Sequence, residues 1–415
     1  MKTQIEQARN GIITKQARAI AKAENMDIQA LLERIAKGSV VIMNRGERPV
    51  GIGKGLSTKV NVNIGTSSLK INPDDEVKKA IIAEKYGADT ITDLSMGGDI
   101  SEIRRKIFGN TTLPITTVPI YQTAAENGLE NMTADDIIRN MKRQAEEGVS
   151  SFVLHCIDNK MLGMLKKRKR IMGVVSKGGS ITSAYMMLNN CENPFIENFD
   201  EILKLLKKHD IVLSLGNTMR SGCVHDTRDK AQLEEIRHNV ELARRANREG
   251  VQVIIEGTGG HVRADRIAGY VRFHKRRSDF PLFAAGPLPT DVAVGYDHIA
   301  GAVGASIASG AGADYLCYIT PSEHLGLPDI EQVREGLIAF KIAAHIGDSM
   351  KYGLDERDRF LAENRANLDW EGQLKYALDG DRARELSPKE GACTMCGDFC
   401  AIKIMKEFGE CSYQA

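Results

Sequence analysis

"LEEIRHNVELARRANREGVQVIIEG" (residues 233–257) contains both kinds of segment from which the centre of this chain is built. Its first part has the apolar spacing of an amphipathic helix, and Gly250 is a typical helix stop signal. Its last part, "VQVIIEG" (251–257), is short, rich in β-branched residues and apolar on both faces, which is typical of a buried strand. A helix that leads into a doubly buried strand indicates a parallel sheet covered by helices.

The same alternation recurs along the chain, with amphipathic segments such as 74–87 and 133–148 between apolar runs. Eight β/α units close a (β/α)8 barrel, and an open doubly wound sheet is the alternative. No GxGxxG follows a first strand, which weakens the alternative, so the sequence predicts an α/β fold with a (β/α)8 barrel. The nine candidate strands, one more than a barrel needs, are "KVNVNIG" (59–65), "DTITDLS" (89–95), "PITTVPIY" (114–121), "SFVLHC" (151–156), "IMGVVS" (171–176), "IVLSLGN" (211–217), "VQVIIEG" (251–257), "PLFAAGP" (281–287) and "DYLCYIT" (314–320).

Segments of different character flank the predicted barrel. We expect an N-terminal region at 1–58, the barrel at 59–328, C-terminal helices at 329–390 and a cysteine-rich tail at 391–415. The N-terminal region combines a helical pattern with the short strand "SVVIMN" (39–44).

Composition excludes several classes of partner. The 415 residues carry a net charge of +1, which gives no bulk electrostatic case for binding nucleic acid or an anionic membrane. No stretch approaches the roughly 18 apolar residues of a membrane span, and the polar N-terminus lacks the apolar core of a signal peptide. We therefore expect a cytoplasmic protein, in which the eight cysteines are reactive, ligating or buried and do not form a disulfide framework.

Polar side chains follow most of the predicted strands, at the barrel end where active sites lie. They are Asn63, Tyr121, His155, Ser176, Asn217, Arg220, Glu256, Tyr296 and His324. The glycine-rich turns "SKGGS" (176–180) and "EGTGG" (256–260) would let backbone N–H groups approach a phosphate. His261 and His324 could share a divalent metal such as zinc, although two ordinary loop histidines fit the spacing equally well.

Near the end of the chain, "CTMCGDFC" (393–400) places three cysteines close together, at Cys393, Cys396 and Cys400. Three thiolates suit a structural zinc completed by a histidine, or a 4Fe-4S cluster with one open iron. No histidine lies in the tail, and the nearest along the chain is His345. The open iron of such a cluster could chelate the amino and carboxylate groups of S-adenosylmethionine. The spacing of the cysteines alone does not decide between the cluster and the zinc site.

Several longer motifs resemble one enzyme family, the phosphomethylpyrimidine synthases of thiamin biosynthesis. The most specific are "GPLPTDVAVGYDHI", "GADYLCYITPSEHLGLP", "KIAAHIGD" and "CTMCGDFCAIKI", and the similarity runs from about residue 1 to residue 407. The resemblance implies a radical S-adenosylmethionine enzyme that acts on 5-aminoimidazole ribotide in a (β/α)8 barrel. It also implies a reducing electron donor such as flavodoxin or ferredoxin, and a homodimer in which one subunit's cysteine tail completes the other subunit's site.

The resemblance also assigns roles to residues of this chain. It implies cluster ligands at Cys393, Cys396 and Cys400, and a second divalent metal, probably zinc, at His261 and His324. Glu256, His155 and Tyr121 are the candidates for proton transfer. The implied substrate contacts are Asn63, Thr92, Tyr121, His155, Ser176, Lys177, Gly178, Asn217, Arg220, Glu256 and Tyr296.

Departures from the family pattern cluster at the predicted pocket. The thiamin enzymes have methionine where this chain has Thr92, arginine where it has Lys177, and a carboxylate where it has Asn217. "EGTGGHVRAD" (256–265) also gains a residue and adds Arg263. These changes favour the branch of the family that makes 5-hydroxybenzimidazole, the lower-ligand base of an anaerobic cobamide. The alternatives are the thiamin pyrimidine product, a non-redox metal-dependent barrel enzyme with a zinc tail, and an inactive binding protein.

Overall fold

A closed eight-stranded parallel barrel forms the centre of the molecule, which confirms the predicted (β/α)8 architecture. The structure, a computed structural model, describes residues 2–45, 48–167, 170–226, 228–388 and 393–408. The last barrel strand pairs with the first in the register Tyr315–Lys59 and so closes the sheet.

The strands run in chain order around the barrel, preceded by an antiparallel hairpin, β1–β2. They are β1 Val40–Arg45, β2 Arg48–Gly53, β3 Lys59–Ile64, β4 Thr90–Asp93, β5 Ile115–Thr117, β6 Ser151–Leu154, β7 Val212–Leu215, β8 Val253–Glu256, β9 Leu282–Ala285 and β10 Tyr315–Cys317.

Helices precede, surround and follow the barrel, and most begin at a side chain that caps the first turn. Thr133 and Asp136 form a capping box at the start of α7, and Gly148 ends that helix with positive φ. The helices are α1 Gln4–Arg9, α2 Lys15–Ala23, α3 Ile28–Lys37, α4 Pro73–Lys85, α5 Ile100–Asn110, α6 Pro119–Asn127, α7 Ala134–Glu147, α8 Asn159–Lys167, α9 Lys177–Asn189, α10 Pro194–Glu197, α11 Phe199–His209, α12 Lys230–Arg248, α13 Ala264–Lys275, α14 Asp297–Gly310, α15 Ile330–Tyr352, α16 Glu356–Ala366, α17 Trp370–Tyr376, α18 Gly380–Leu386 and α19 Ala401–Phe408. Within the described residues, no helix combines the length and apolar character that a bilayer crossing requires.

Two strand predictions were wrong in part. The candidate strand at 171–176 is irregular, because the N–H groups of Ile171 and Met172 donate to the carboxylate of Asp226 and not to a neighbouring strand. The strand predicted at 114–121 ends at Thr117, since Pro119 occupies the first turn of a helix, α6. Tyr121 therefore projects from a helix.

The β1–β2 hairpin closes the barrel end where the strands begin. Its Val41, Met43, Val50 and Ile52 form one buried cluster with residues near the starts of barrel strands, including Val212. Gln252 fixes the hairpin by accepting from the Ile42 N–H at 2.7 Å and donating to the Ile42 carbonyl at 3.1 Å. The opposite end, where the strands finish, is left for the site.

The chain divides into two compact units, residues 1–351 and 352–415. In the second unit, Arg357 donates to the carbonyls of Tyr376 and Ala377, and the rings of Phe360 and Tyr376 stack at 5.3 Å. These contacts tie α16 to α17 in a small helical unit that also contains the described cysteines.

Candidate active site

A cavity of about 570 Å³ opens where the barrel strands end, a volume typical of small-ligand sites. Most of the polar residues predicted from the sequence line it, and they come from β3, β4, β8 and the segments that follow the strands. The predicted residues in its wall are Asn63, Thr92, Tyr121, His155, Ser176, Lys177, Arg220, Glu256, His261 and His324.

His155 is buried in polar surroundings, and it is held by the segments after β6 and β7. Its Nδ1 lies 3.0 Å from Thr218 Oγ1 and its Nε2 lies 3.4 Å from Ser176 Oγ. Burial, with the neighbouring charge of Arg220, lowers the pKa of His155 to about 3. The imidazole is therefore neutral at physiological pH and can donate from one nitrogen and accept at the other.

Arg220 is the principal positive charge among these buried groups. Burial raises the pKa of Glu256, and Arg220 opposes that rise. Burial also raises the pKa of Tyr121 to about 12, so its hydroxyl keeps its proton. Lys177 adds a second cation, with Nζ 5.2 Å from the centre of the Tyr121 ring. The wall can thus bind an anion beside a carboxyl, a phenol and a neutral imidazole.

The structure does not bring three of the predicted contacts to the cavity wall. The Asn217 side chain donates to Glu235 Oε2 at 2.7 Å, while its backbone N–H donates to Glu256 Oε2 at 3.2 Å. Tyr296 is 66% exposed and precedes α14. Gly178 lies behind the wall, where an added Cβ would be 2.4 Å from the His155 ring. Asn217 and Gly178 therefore act on the site through Glu256 and His155.

Cys317 was not predicted as a site residue, although its thiol lines the cavity. Asn63 Nδ2 donates to Cys317 Sγ at 3.0 Å, and burial raises the pKa of the thiol to about 12. Tyr318 follows it and donates to the Asn63 carbonyl at 2.9 Å. Their position at the end of β10, the last strand, was the signal that could have found them.

His261 and His324 meet across the cavity, with ring centres 5.1 Å apart. They follow β8 and β10, which are separated in the barrel by β9. The segment after β8 bridges from His261 to Leu288 beyond β9 and so carries the imidazole across. His261 Nδ1 lies 2.6 Å from Asp291 Oδ1, and His324 Nδ1 lies 3.2 Å from Asp297 Oδ2.

A carboxylate lies beside each Nδ1 atom, and that of His261 is hydrogen-bonded to Asp291, as the second ring nitrogen of a metal-binding histidine usually is. The pair is therefore chemically suited to a divalent metal. Within the part of the chain that the structure describes, no three His, Cys, Asp or Glu side chains form a ready metal site. Two histidines would leave the remaining coordination positions to ligands from outside the protein.

The three tail cysteines lie close together in the second unit. Burial and the charges of Cys393 and Cys400 raise the pKa of the Cys396 thiol, which also hydrogen-bonds to Cys393. Backbone N–H groups of Gly397 and Phe399 donate to the carbonyls of Cys393 and Cys396, so the loop turns tightly around the thiols. As thiolates the three side chains would repel one another, and a cationic metal centre would relieve that repulsion, but among the described residues they do not form a ready set of metal ligands.

The closed barrel, the polar cavity at the strand ends and the three-cysteine loop place this protein in the class of barrel enzymes with a cysteine-rich terminal unit.

The model of the radical SAM ThiC family matches residues 3–407, so the chain belongs to that family. Phosphomethylpyrimidine synthase of Methanocaldococcus jannaschii is 45% identical over 425 residues, which cover 98% of this chain and 100% of that protein. The Archaeoglobus fulgidus protein of the same name is 45% identical over 420 residues, covering 98% and 99%.

Membership of this family makes the protein a radical S-adenosylmethionine enzyme. It implies a 4Fe-4S cluster, S-adenosylmethionine and a source of electrons. Among solved structures, dihydropteroate synthase of Clostridium difficile aligns with a TM-score of 0.42 at 11% identity, covering 72% of this chain and 98% of that one. That similarity is too low to bear on function.

Proposed function

We propose that this protein is a radical S-adenosylmethionine lyase that converts 5-aminoimidazole ribotide to 5-hydroxybenzimidazole, with formate, phosphate, ammonia, 5'-deoxyadenosine and methionine as the other products. The observation that carries the proposal is the pocket. Thr92 and Lys177, which replace a methionine and an arginine of the thiamin enzymes, both line the cavity. The tail cysteines and the histidine pair are the metal-binding residues that the family resemblance implies.

The phosphate of the substrate would lie between Arg220, Lys177 and the first turn of α9. Cationic side chains give charge-assisted hydrogen bonds to phosphate, and the N-terminus of a helix favours an anion. Ser176 caps α9 by accepting from the Gly179 N–H at 3.1 Å, which holds this turn at the cavity wall.

Of the three candidates for proton transfer, Glu256, His155 and Tyr121, we propose that Glu256 is the one that changes charge. Burial raises the pKa of Glu256, so its carboxyl holds a proton more readily than an exposed one, which suits a group that accepts and returns a proton. The low pKa of His155 and the high pKa of Tyr121 keep both neutral, so each can donate a hydrogen bond without adding charge. The residues thus provide one group that changes charge and two that stay neutral.

Cys393, Cys396 and Cys400, in a tail at 391–415, would hold the 4Fe-4S cluster. When bound, the cluster supplies the electron that cleaves S-adenosylmethionine to a 5'-deoxyadenosyl radical. His261 and His324 would hold a second divalent metal, for which we propose zinc because imidazole is a common zinc ligand. A donor such as flavodoxin or ferredoxin, and a homodimer in which the tails are exchanged, complete the proposal on the strength of the family resemblance.

The pocket substitutions divide into two groups by their position. Thr92 is smaller than methionine and donates to Asn61 Oδ1 at 2.9 Å, which leaves more room over the barrel interior. Lys177 is a point charge where arginine would grip a phosphate with two parallel hydrogen bonds. Asn217 faces Glu235, and Arg263 is exposed beside Asp265, so neither contacts the cavity. Weaker binding of phosphate by Lys177 is consistent with 5-hydroxybenzimidazole as the product, because that product carries no phosphate.

Phosphomethylpyrimidine formation from the same substrate is the second candidate. The names of the curated relatives support it, since they are phosphomethylpyrimidine synthases at 45% identity across nearly the whole chain. Those comparisons favour this alternative over the benzimidazole product, whereas the substitutions in the cavity wall favour the benzimidazole.

The products distinguish the two. The reconstituted protein is incubated without oxygen with 5-aminoimidazole ribotide, S-adenosylmethionine and a reductant, and the products are analysed by mass. We expect 5-hydroxybenzimidazole, and hydroxymethylpyrimidine phosphate would refute the assignment. The double variant Thr92→Met with Lys177→Arg restores the thiamin-type wall, so it should reduce benzimidazole formation while 5'-deoxyadenosine still forms. Cys393→Ala, as the matched control, should form none of these products.

A further inference from the structure

A second, strongly basic cavity lies at the barrel end opposite the active site. Its volume is about 480 Å³, and it forms where α3, α12 and α13 end, just before β1, β8 and β9 begin. The cations in its wall are Lys37, Arg244, Arg248, Lys275, Arg276 and Arg277, against a single carboxylate, Asp279. The whole chain has a net charge of only +1, so this cavity concentrates positive charge locally.

The ordinary explanation is that basic residues in the last turn of a helix interact with its dipole. It accounts for part of the set. Arg244 donates to the Arg277 carbonyl at 3.0 Å, Arg277 donates to the Phe273 carbonyl at 3.0 Å, and Lys275 pairs with Asp314 at 2.8 Å. These three cations already have structural partners.

The other cations do not have comparable partners. Within the described ranges, the side chains of Arg248 and Arg276 have no hydrogen bond or ion pair. Lys37 reaches Glu33 only at 3.6 Å, with both side chains about three-quarters exposed. Burial lowers the pKa of Arg277, and the charges of Arg237 and Arg276 lower it further. The cavity therefore holds crowded positive charge that an anion would relieve.

We propose that this basic cavity binds a pyrophosphate group, either as inorganic pyrophosphate or as the diphosphate of a nucleotide. Its free cations come from three separate helix ends, and two linked phosphates reach more of them than one phosphate does. Guanidinium groups match phosphate oxygens with paired hydrogen bonds, which a carboxylate ligand would use less fully. The volume leaves space for a nucleoside beside the diphosphate.

The site is separate from the proposed chemistry. Its residues precede strands whose other ends carry Glu256 and the active-site cavity, so a ligand here would not occupy the place of the substrate. Binding at this end is therefore expected without competition from 5-aminoimidazole ribotide.

The test is isothermal titration calorimetry of the full-length protein with inorganic pyrophosphate, ADP and orthophosphate. We expect saturable binding of pyrophosphate or ADP, and weaker binding of orthophosphate. If ADP binds more tightly than pyrophosphate, the ligand is the diphosphate of a nucleotide. If pyrophosphate binds as tightly as ADP or more tightly, the ligand is the free anion. The double variant Arg248→Gln with Arg276→Gln should weaken binding about 10-fold or more, because it removes two charge-assisted contacts.

The matched control is Arg105→Gln with Arg139→Gln, which removes the same charge from exposed positions on α5 and α7. It should leave binding within about 2-fold of the parent, since exposed charges act weakly at a distance. Equal weakening in both double variants, binding that survives in the first one, or no saturable binding would each overturn the proposal. Binding of polyglutamate without binding of pyrophosphate would overturn it in favour of an acidic protein partner.

Discussion

Gly178→Ala tests whether the position of His155 controls the reaction. The Cβ of alanine would lie 2.4 Å from His155 Cδ2, 2.6 Å from Nε2 and 3.2 Å from Tyr121 Cε1. Carbon atoms in contact are normally about 3.5–4.0 Å apart, so the imidazole must give way by about 1 Å. The methyl group would thus displace the ring that we place beside the substrate.

The ring has little freedom to move away from that methyl group. On its other side an added Cβ at Gly216 would lie 2.7 Å from the ring, so backbone is already close there. Any shift also lengthens the 3.0 Å contact between His155 Nδ1 and Thr218 Oγ1. Overpacking of this kind lowers the free energy of unfolding by about 1–3 kcal/mol. Displacement of a catalytic group by about 1 Å costs about 100-fold in rate.

The assay is kcat/KM for 5-aminoimidazole ribotide under anaerobic conditions, with iron content and thermal unfolding measured on the same sample. We expect about a 100-fold loss of kcat/KM with normal iron content. Gly163→Ala is the matched control, because an added Cβ there meets no atom within 4 Å, and it should leave kcat/KM unchanged. Parent-like kcat/KM in Gly178→Ala would refute the role given to His155.

Three further predictions follow from buried groups and from the tail. Burial raises the pKa of Glu235 from 4.5 to about 7, so its contribution to stability is full below pH 4.5 and is lost as pH rises through 7. Glu235→Gln should remove up to about 3 kcal/mol of this pH dependence, measured as urea unfolding between pH 5 and 8. Asp291→Asn should weaken zinc binding about 10- to 100-fold in a chelator competition, whereas Asp265→Asn on the surface should not. Cys396→Ser should lose the bound iron after reconstitution, and full iron content would contradict the ligand assignment.

The parts of the structure that depend on local pattern were predictable from sequence. Eight of the nine candidate strands form the barrel, because doubly buried β-branched runs between amphipathic helices have few other solutions. The polar residues that end those strands mostly reach one cavity, because parallel strands finish on the same side of a barrel. The strand prediction for 171–176 was wrong because the hydrogen-bond partner of this segment, Asp226, lies far along the chain.

The direction in which the predicted site residues point their side chains could not be predicted from the sequence. Asn217 ends a strand as its neighbours do, yet Glu235 on α12 turns its amide away from the cavity. Tyr296 belongs to a family-like motif and is still exposed in front of α14. His261 and His324 meet only because the segment after β8 crosses the end of β9. The positions of Asn217 and of the two histidines depend on contacts between residues distant in sequence.

The arrangement separates how the reaction starts from what it makes. The cysteines proposed to start the radical chemistry lie in the 352–415 unit, while the groups proposed to hold and reshape the ribotide line the barrel cavity. Substitutions at Thr92 and Lys177 can therefore change the space beside Asn61 and the binding of phosphate while the cysteines stay the same. On this hypothesis the members of the family share one radical chemistry, and a few residues in the cavity wall determine which product forms. The double variant Thr92→Met with Lys177→Arg tests whether these two residues are sufficient to change the product.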